Sequence, residues 1–513
     1  MAAPDPRTAL IALNRFGFGA RPGDLDKAKA DPRGFLKAQL RQPDAALIDR
    51  TLAANADLVG TTASIQASMT AAMQRQMERV NATATPPAAM ASSPPPAAQA
   101  MPPPAMAAPA MSPPAMAAPT MSPPAAMGVA APMAGMTKKA EPSAEDKLFR
   151  AEARARFDKA ISGDNGFVER LVAFWSNHFC ISVAKDNLVR ASAGAFEREA
   201  IRPFVLGRFA DLVFAVEHHP AMLYYLDNQQ SIGPDSRAGQ NRKRGLNENL
   251  AREVIELHTL GVDGGYDQSD VTTFARVLTG WTVAGREGRQ GEPGTFFFNS
   301  NAHQPGDALV LGKAFTGGGL GQAEGVLDML AHHPATAQHI ATKLVRHFIA
   351  DDPPPAAVAR LAKVFTDTGG DLRAVASTLI DLPESWSTPA TKLRTPYEFL
   401  VAIRRATSAE TLVDPGPVLN GLRALGEPLW QPPGPNGYSD LTSAQASPEG
   451  MKTRLDIAAQ AARQVKSPTN PTDLVDAILG PTVSADTRQA IAAAESKPQG
   501  LALLLMSPEF QRR

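Results

Sequence analysis

Cysteine is nearly absent from the 513-residue chain: Cys180 stands alone, so an intrachain disulfide and a tetrathiolate metal centre are both excluded. Net charge is absent too, with 51 Lys and Arg against 51 Asp and Glu. Such a balance provides no long-range field for nucleic acid or an anionic membrane, so nucleic-acid binding is not expected. No stretch reaches the roughly 18 uninterrupted apolar residues of a membrane helix. The first residues, Met1-Ala-Ala-Pro-Asp-Pro-Arg-Thr-Ala-Leu, offer neither the basic head nor the apolar run of a signal peptide. A cytoplasmic location is the resulting expectation, with export from a trimmed or misassigned start as the alternative. His-Glu-x-x-His and the Gly-Lys-Ser/Thr end of a phosphate-binding loop are missing as well, which removes two common metal and nucleotide motifs.

Proline, by contrast, is abundant and uneven. Fifteen of the 45 fall between Ala84 and Met136, where no charged residue and no Leu, Ile, Phe, Trp or Tyr occurs. A segment so poor in core formers cannot offset its ordering entropy, so it is expected to be disordered with polyproline-II character. The chain then divides into a helical N-terminal part, 1–83, an insert, 84–136, and a main helical domain, 137–513. Within the insert Met101, Met106, Met111, Met116 and Met121 recur every fifth residue. Thioethers select Cu(I), but no His or Cys accompanies them, which favours repeat expansion.

Outside the insert apolar residues recur at helical spacing. The pattern predicts helices over 24–40, 44–79, 148–161, 166–179, 191–215, 220–228, 246–260, 269–280, 321–332, 335–350, 355–368, 371–380, 396–407, 415–425, 447–465, 470–479, 485–495 and 499–506. A strand signal is confined to Thr295-Phe-Phe-Phe-Asn and Ala308-Leu-Val-Leu-Gly, read as the two arms of a hairpin. The predicted fold is mainly α, a large multi-helical single domain with one short β-hairpin.

Polar residues are densest in the block from Leu246 to Tyr266. At about 100° per residue, Asn249, Arg252, Glu253 and Glu256 share one arc of a helix, and Asn247 and His258 another. Two carboxylates beside an arginine suit acid/base work or half of a metal site; the plainer reading, favoured by spacing alone, is an ion-pair network. In the following loop Asp263, Asp267 and Asp270 are better explained by a C-cap glycine and an Asp270 N-cap than by calcium, because the EF-hand positions do not fit. His178, His258 and His303 sit in polar or aromatic company and are candidate metal ligands or proton carriers. His219 and His333 precede prolines and read as helix-junction residues. Arg242, Lys243 and Arg244, just ahead of the polar helix, form a candidate anion site.

Several stretches resemble a known bacterial family, domain of unknown function 1800. They are Asn14-Arg-Phe-Gly-Phe-Gly, Phe174-Trp-Ser-Asn-His-Phe, His219-Pro-Ala-Met-Leu-Tyr-Tyr-Leu-Asp-Asn and the block from Asn247 to Tyr266. To these add Leu278-Thr-Gly-Trp-Thr, His333-Pro-Ala-Thr-Ala, Lys392-Leu-Arg-Thr-Pro-Tyr-Glu-Phe and Ser507-Pro-Glu-Phe. The resemblance covers nearly the whole chain apart from the insert. It implies a mostly helical domain, often encoded beside a sulfatase-like protein of domain of unknown function 1501 and often exported, and it brings no established reaction. Asp267 stands where relatives more often have Thr, and Tyr438, after Trp430-Gln-Pro-Pro-Gly-Pro-Asn-Gly, where Trp is commoner.

Two functional expectations follow. The resemblance implies an accessory or scaffold partner of the sulfatase-like protein. The residues themselves suggest instead a hydrolase or metal-dependent enzyme: Glu253 or Glu256 as base or ligand, Arg252 orienting them, and His178, His258 and His303 binding metal or moving protons. No cofactor is identified by either.

Overall fold

A computed structural model describes residues 6–84, 141–164, 166–241, 245–407, 412–465 and 470–513. The predicted insert therefore lies, from residue 85, outside the described residues, as do Arg242, Lys243 and Arg244. Of the described residues, those within 6–72 and 143–513 belong to one compact unit, and 73–84 and 141–142 fall outside it.

This unit is mainly α-helical. The helices that position the candidate site are α1 (Ala144–Ser162), α2 (Gly166–His178), α3 (Asn187–Phe196), α4 (Phe209–Glu217), α5 (Asn249–Glu253), α6 (Gln268–Val277), α7 (Pro334–Phe348) and α8 (Pro396–Ala406). Their starts follow ordinary capping rules. Ser143 caps α1, and Thr395 with Glu398 forms a reciprocal capping box on α8 with Pro396 in its first turn; these contacts satisfy amide groups that no intrahelical carbonyl can reach. His219 and His333 are junction residues as expected: each accepts, through Nδ1, a backbone N–H two residues on, at 3.2 Å.

The predicted helix over 191–215 is broken. After α3 the chain makes a π-helical turn, Glu197–Ile201, then a 3-10 turn at Arg202–Phe204, before α4 begins; Pro203 has no N–H to continue the ladder. A second π-helical turn, Val254–His258, follows α5, with the Thr259 hydroxyl donating to the Val254 carbonyl at 2.6 Å. Helix α6 starts earlier than predicted. Asp267, not Asp270, is its N-cap, and Asp270 closes the box as the third residue while accepting the Leu311 amide at 2.7 Å.

Both strand segments exist, but they do not pair with each other. β2 (Phe296–Phe298) lies antiparallel to β1 (Trp281–Val283), and β3 (Ala308–Val310) forms the short hairpin with β4 (Lys313–Phe315). The tip of that hairpin, Leu311-Gly312, has positive φ at both positions, 49° and 72°, the two-residue turn whose twist matches the strands. No helix among the described residues is long and apolar enough to cross a membrane.

The core runs through Phe16, Phe157, Phe167, Trp175 and Leu344. Residues near position 15 are fastened to the far end of the chain. Arg15, 2% exposed, donates to the Ser385 carbonyl at 2.6 Å; Arg394 reaches Asn14 at 2.9 Å, and Arg405 reaches Asp24 at 3.1 Å.

Candidate functional site

A cavity of about 100 Å³ lies where α1, α2, α7 and α8 meet the segment from Glu427 to Asp440. Its wall includes Arg156, Asn177, Cys180, His347, Tyr397 and Trp430. The Glu427–Asp440 segment has little regular structure, and side chains and backbone from α2 onward clasp it. The Val183 amide donates to the Trp430 carbonyl at 2.8 Å and the Ser182 hydroxyl to that of Pro432 at 3.0 Å. Asn177 both accepts from the Tyr438 amide, at 2.8 Å, and donates to its carbonyl, at 2.9 Å. Between them Gly437 has φ 76°, and a Cβ there would stand 2.5 Å from the Asn177 carbonyl oxygen. Gly437→Ala therefore combines a left-handed backbone with a backbone clash, and is expected to cost roughly 2–3 kcal/mol; urea unfolding measures it, and a loss below about 0.5 kcal/mol would contradict the clasp.

Beneath Trp430 the floor is an ion network created by the first π-helical turn. Glu197, 2% exposed, accepts from Arg156 at 3.0 Å, Arg202 at 3.1 Å, the Ser176 hydroxyl at 2.8 Å and the Trp430 indole at 3.1 Å. Arg156 lies over the rings of Tyr397, at 4.6 Å, and Trp430, at 5.5 Å, where a desolvated guanidinium gains most from an aromatic face.

Opposite, the carboxyl groups are held in different states. Burial disfavours a charge on Glu398, but Arg170 at 3.0 Å and Arg513 at 2.6 Å outweigh it and hold the group down to about 2. Burial opposes ionisation of Asp440 as well; the His347 ring, whose Nδ1–H donates to it at 2.7 Å, and the Arg513 and Lys392 cations keep it ionised well below the usual range. His347 is pulled down to about 4 by burial, and its other nitrogen accepts from Arg170 at 3.0 Å. Glu427 goes the other way. Burial pushes it up to about 7, the hydrogen bond from Gln445 at 2.6 Å failing to compensate, and the Asp440 and Glu398 charges add to the rise.

The polar block singled out in the sequence divides in two. Arg252 pairs with Glu256 at 3.0 Å and Glu248 at 3.2 Å while 37% exposed, the solvated network that spacing favoured. Glu253 points elsewhere: it makes no hydrogen bond or ion pair among the described residues, and burial raises its carboxyl. The second π-helical turn carries His258 inward. Its Nδ1–H donates to Glu217 at 2.8 Å, both groups being at most 1% exposed. His178 donates through Nε2 to the His258 carbonyl at 3.1 Å, and its ring centre is 6.1 Å from that of His258 and 6.2 Å from that of His339. His178 Nδ1, His258 Nε2 and Glu217 Oε2 are buried without partners, an arrangement that costs free energy unless it serves a purpose. His303 stands apart, its Nδ1–H donating to the Thr279 carbonyl at 2.9 Å and its Nε2 accepting the Gly319 amide at 3.0 Å. Among the described residues no three His, Cys, Asp or Glu side chains are placed to hold a metal ion.

Cys180 lines the cavity. Its thiol donates to the Pro435 carbonyl at 3.2 Å, and burial pushes it up to about 12, so it is a poor nucleophile.

Sequence reasoning singled out His178, His258 and Glu253; it did not single out Glu427, Asp440, His347 or Arg156, which line this cavity. A signal existed: Phe174–Phe179, Lys392–Phe399 and Trp430–Tyr438, three of the stretches noted for the family resemblance, each contribute wall residues to this cavity. No curated protein and no solved structure matches the chain. A family model described as Protein of unknown function (DUF1800) matches residues 11–512, and the chain belongs to that family.

Proposed function

We propose that the chain is an enzyme performing acid–base chemistry, of the hydrolytic kind, on a small molecule in the cavity beneath Trp430. The observation behind this reading is the opposed pair of carboxyl groups: Glu427 is raised to about 7 and Asp440 held ionised, on one segment and facing one cavity. Two carboxyls whose environments separate their proton affinities divide the labour of acid and fixed charge, and a group titrating near neutral pH gives and takes protons efficiently. Glu427 passes the proton; Asp440, anchored by His347, supplies the constant negative charge.

A hydrolase screen with a pH profile tests this. Activity is expected to show an ionisation near 7 and to fall by about 100-fold or more in Glu427→Gln; activity that survives the substitution, or shows no ionisation near neutrality, removes Glu427 from the role. The scaffold role beside a sulfatase-like protein of domain of unknown function 1501 draws on the family resemblance, and co-purification with that protein from the native host tests it.

A further inference from the structure

Arg156 is the one Lys or Arg in the cavity wall among the described residues. It reaches that wall from α1, and its guanidinium lies over the rings of Tyr397 and Trp430, which hold the fork in place. A guanidinium carries several N–H donors in a fixed plane. Glu197 engages one nitrogen at 3.0 Å, and Arg156 makes no other hydrogen bond or ion pair among the described residues. Unpartnered nitrogens of Arg15, Arg170 and Arg394 are shut away from water; none of those of Arg156 is, although the residue as a whole is only 8% exposed. Its remaining donors are therefore open to the cavity it lines. Tyr397, in the same wall, also has a hydroxyl without a hydrogen-bond partner among the described residues.

We infer that Arg156 selects the substrate by a free carboxylate: the cavity takes a small, singly charged acid whose carboxylate accepts from this guanidinium. A planar fork matches the two oxygens of a carboxylate. One guanidinium already shared with Glu197 supplies too little charge for a phosphate dianion in a wall that also holds Glu398, Glu427 and Asp440. A single negative charge meets a milder field. Glu398 is answered by Arg170 and Arg513, and Asp440 by the His347 N–H with Arg513 and Lys392 nearby. A cavity of about 100 Å³ admits only a small molecule, and Leu422 and Leu429 stand in its wall for the apolar part. The inference rests on the cavity being a substrate site and adds what that site selects.

Butanoate, butanamide and butylammonium are the probes, because they share a shape and differ in charge. In calorimetric titration at pH 7 the intact protein is expected to bind butanoate at least about tenfold more tightly than either of the others. Equal affinity for the amide, or tighter binding of the ammonium, overturns the inference without need of a variant. Arg156→Lys keeps a cation for Glu197 and loses the fork, so the preference for butanoate should fall about tenfold; a preference that persists takes the role from Arg156. Activity separates this inference from the reading it rests on. Butanoate bound by a protein without Glu427-dependent activity keeps Arg156 as an acid-binding residue and ends the enzyme reading. Butanoate refused by a protein whose activity still follows Glu427 ends this inference alone.

Discussion

Glu427→Gln is expected to raise the unfolding free energy by roughly 2–3 kcal/mol at pH 8 and by less than about 1 kcal/mol at pH 5. The sign follows from the direction of the shift. Burial lifts the folded carboxyl from 4.5 to about 7, so between those values the native state binds more protons than the unfolded chain. Stability is then fully present below the unfolded value and falls as pH rises to about 7, because ionising Glu427 in the folded protein is opposed. Each pH unit of separation corresponds to about 1.4 kcal/mol; partial access to solvent reduces the full figure to the range given. Glutamine keeps an oxygen for the Gln445 donor and has no charge to bury, so the variant lacks the decline. Urea unfolding of both proteins from pH 5 to 8 checks it, and parallel curves would show that Glu427 titrates as an ordinary carboxylate. A more stable variant that is also less active is the signature of a strained functional group.

Glu197→Ala should act in the opposite direction and more severely, with an expected loss of about 3–5 kcal/mol. Removing this carboxylate leaves Arg156 and Arg202 buried, though Arg202 keeps Glu169 at 2.9 Å. It also strips the Trp430 indole and the Ser176 hydroxyl of their acceptor. Burial opposes the Glu197 charge, but Arg156 and Arg202 hold it below its ordinary value of 4.5. Its contribution is therefore present above that value and lost as pH falls through the lower folded one, so wild type and variant should converge in acid. The urea midpoint at pH 7 and pH 3 measures both statements. A loss under about 1 kcal/mol at pH 7 would mean that the floor of the cavity carries little of the fold.

Helix spacing made most of the fold legible. Segments such as 148–161 and 335–350 are read correctly to within a few residues, because a 3.6-residue apolar period has few other uses. Strand pairing was not, since the Phe296–Phe298 segment binds Trp281–Val283, which lies inside no period-2 run. The π-helical turns were also hidden: Glu197–Ile201 and Val254–His258 keep helical composition, and what distinguishes them is a hydroxyl or carboxylate engaged at a distance. For the site, types and spacing located Glu253, His178 and His258 yet gave equal weight to His303, whose nitrogens are both committed elsewhere. Glu427 and Asp440 were invisible. Nothing in their neighbours announces burial, and groups that shift them, such as Glu398 for Glu427 and His347 and Arg513 for Asp440, come from other parts of the sequence.

The contacts that fasten the first residues to the last have a consequence in time. Arg15 and Ser385 are separated by 370 positions and Asp24 and Arg405 by 381. At a synthesis rate of about 5–20 residues per second, the N-terminal segment waits roughly 20–70 s on the ribosome before its partners exist. Through that interval Phe16 and Phe18, buried completely in the finished protein, face water or a chaperone. Closing this part of the fold is thus a late step of synthesis, and the cavity, whose wall residues Tyr397, Glu398 and Trp430 belong to the same late stretch, comes into being only then.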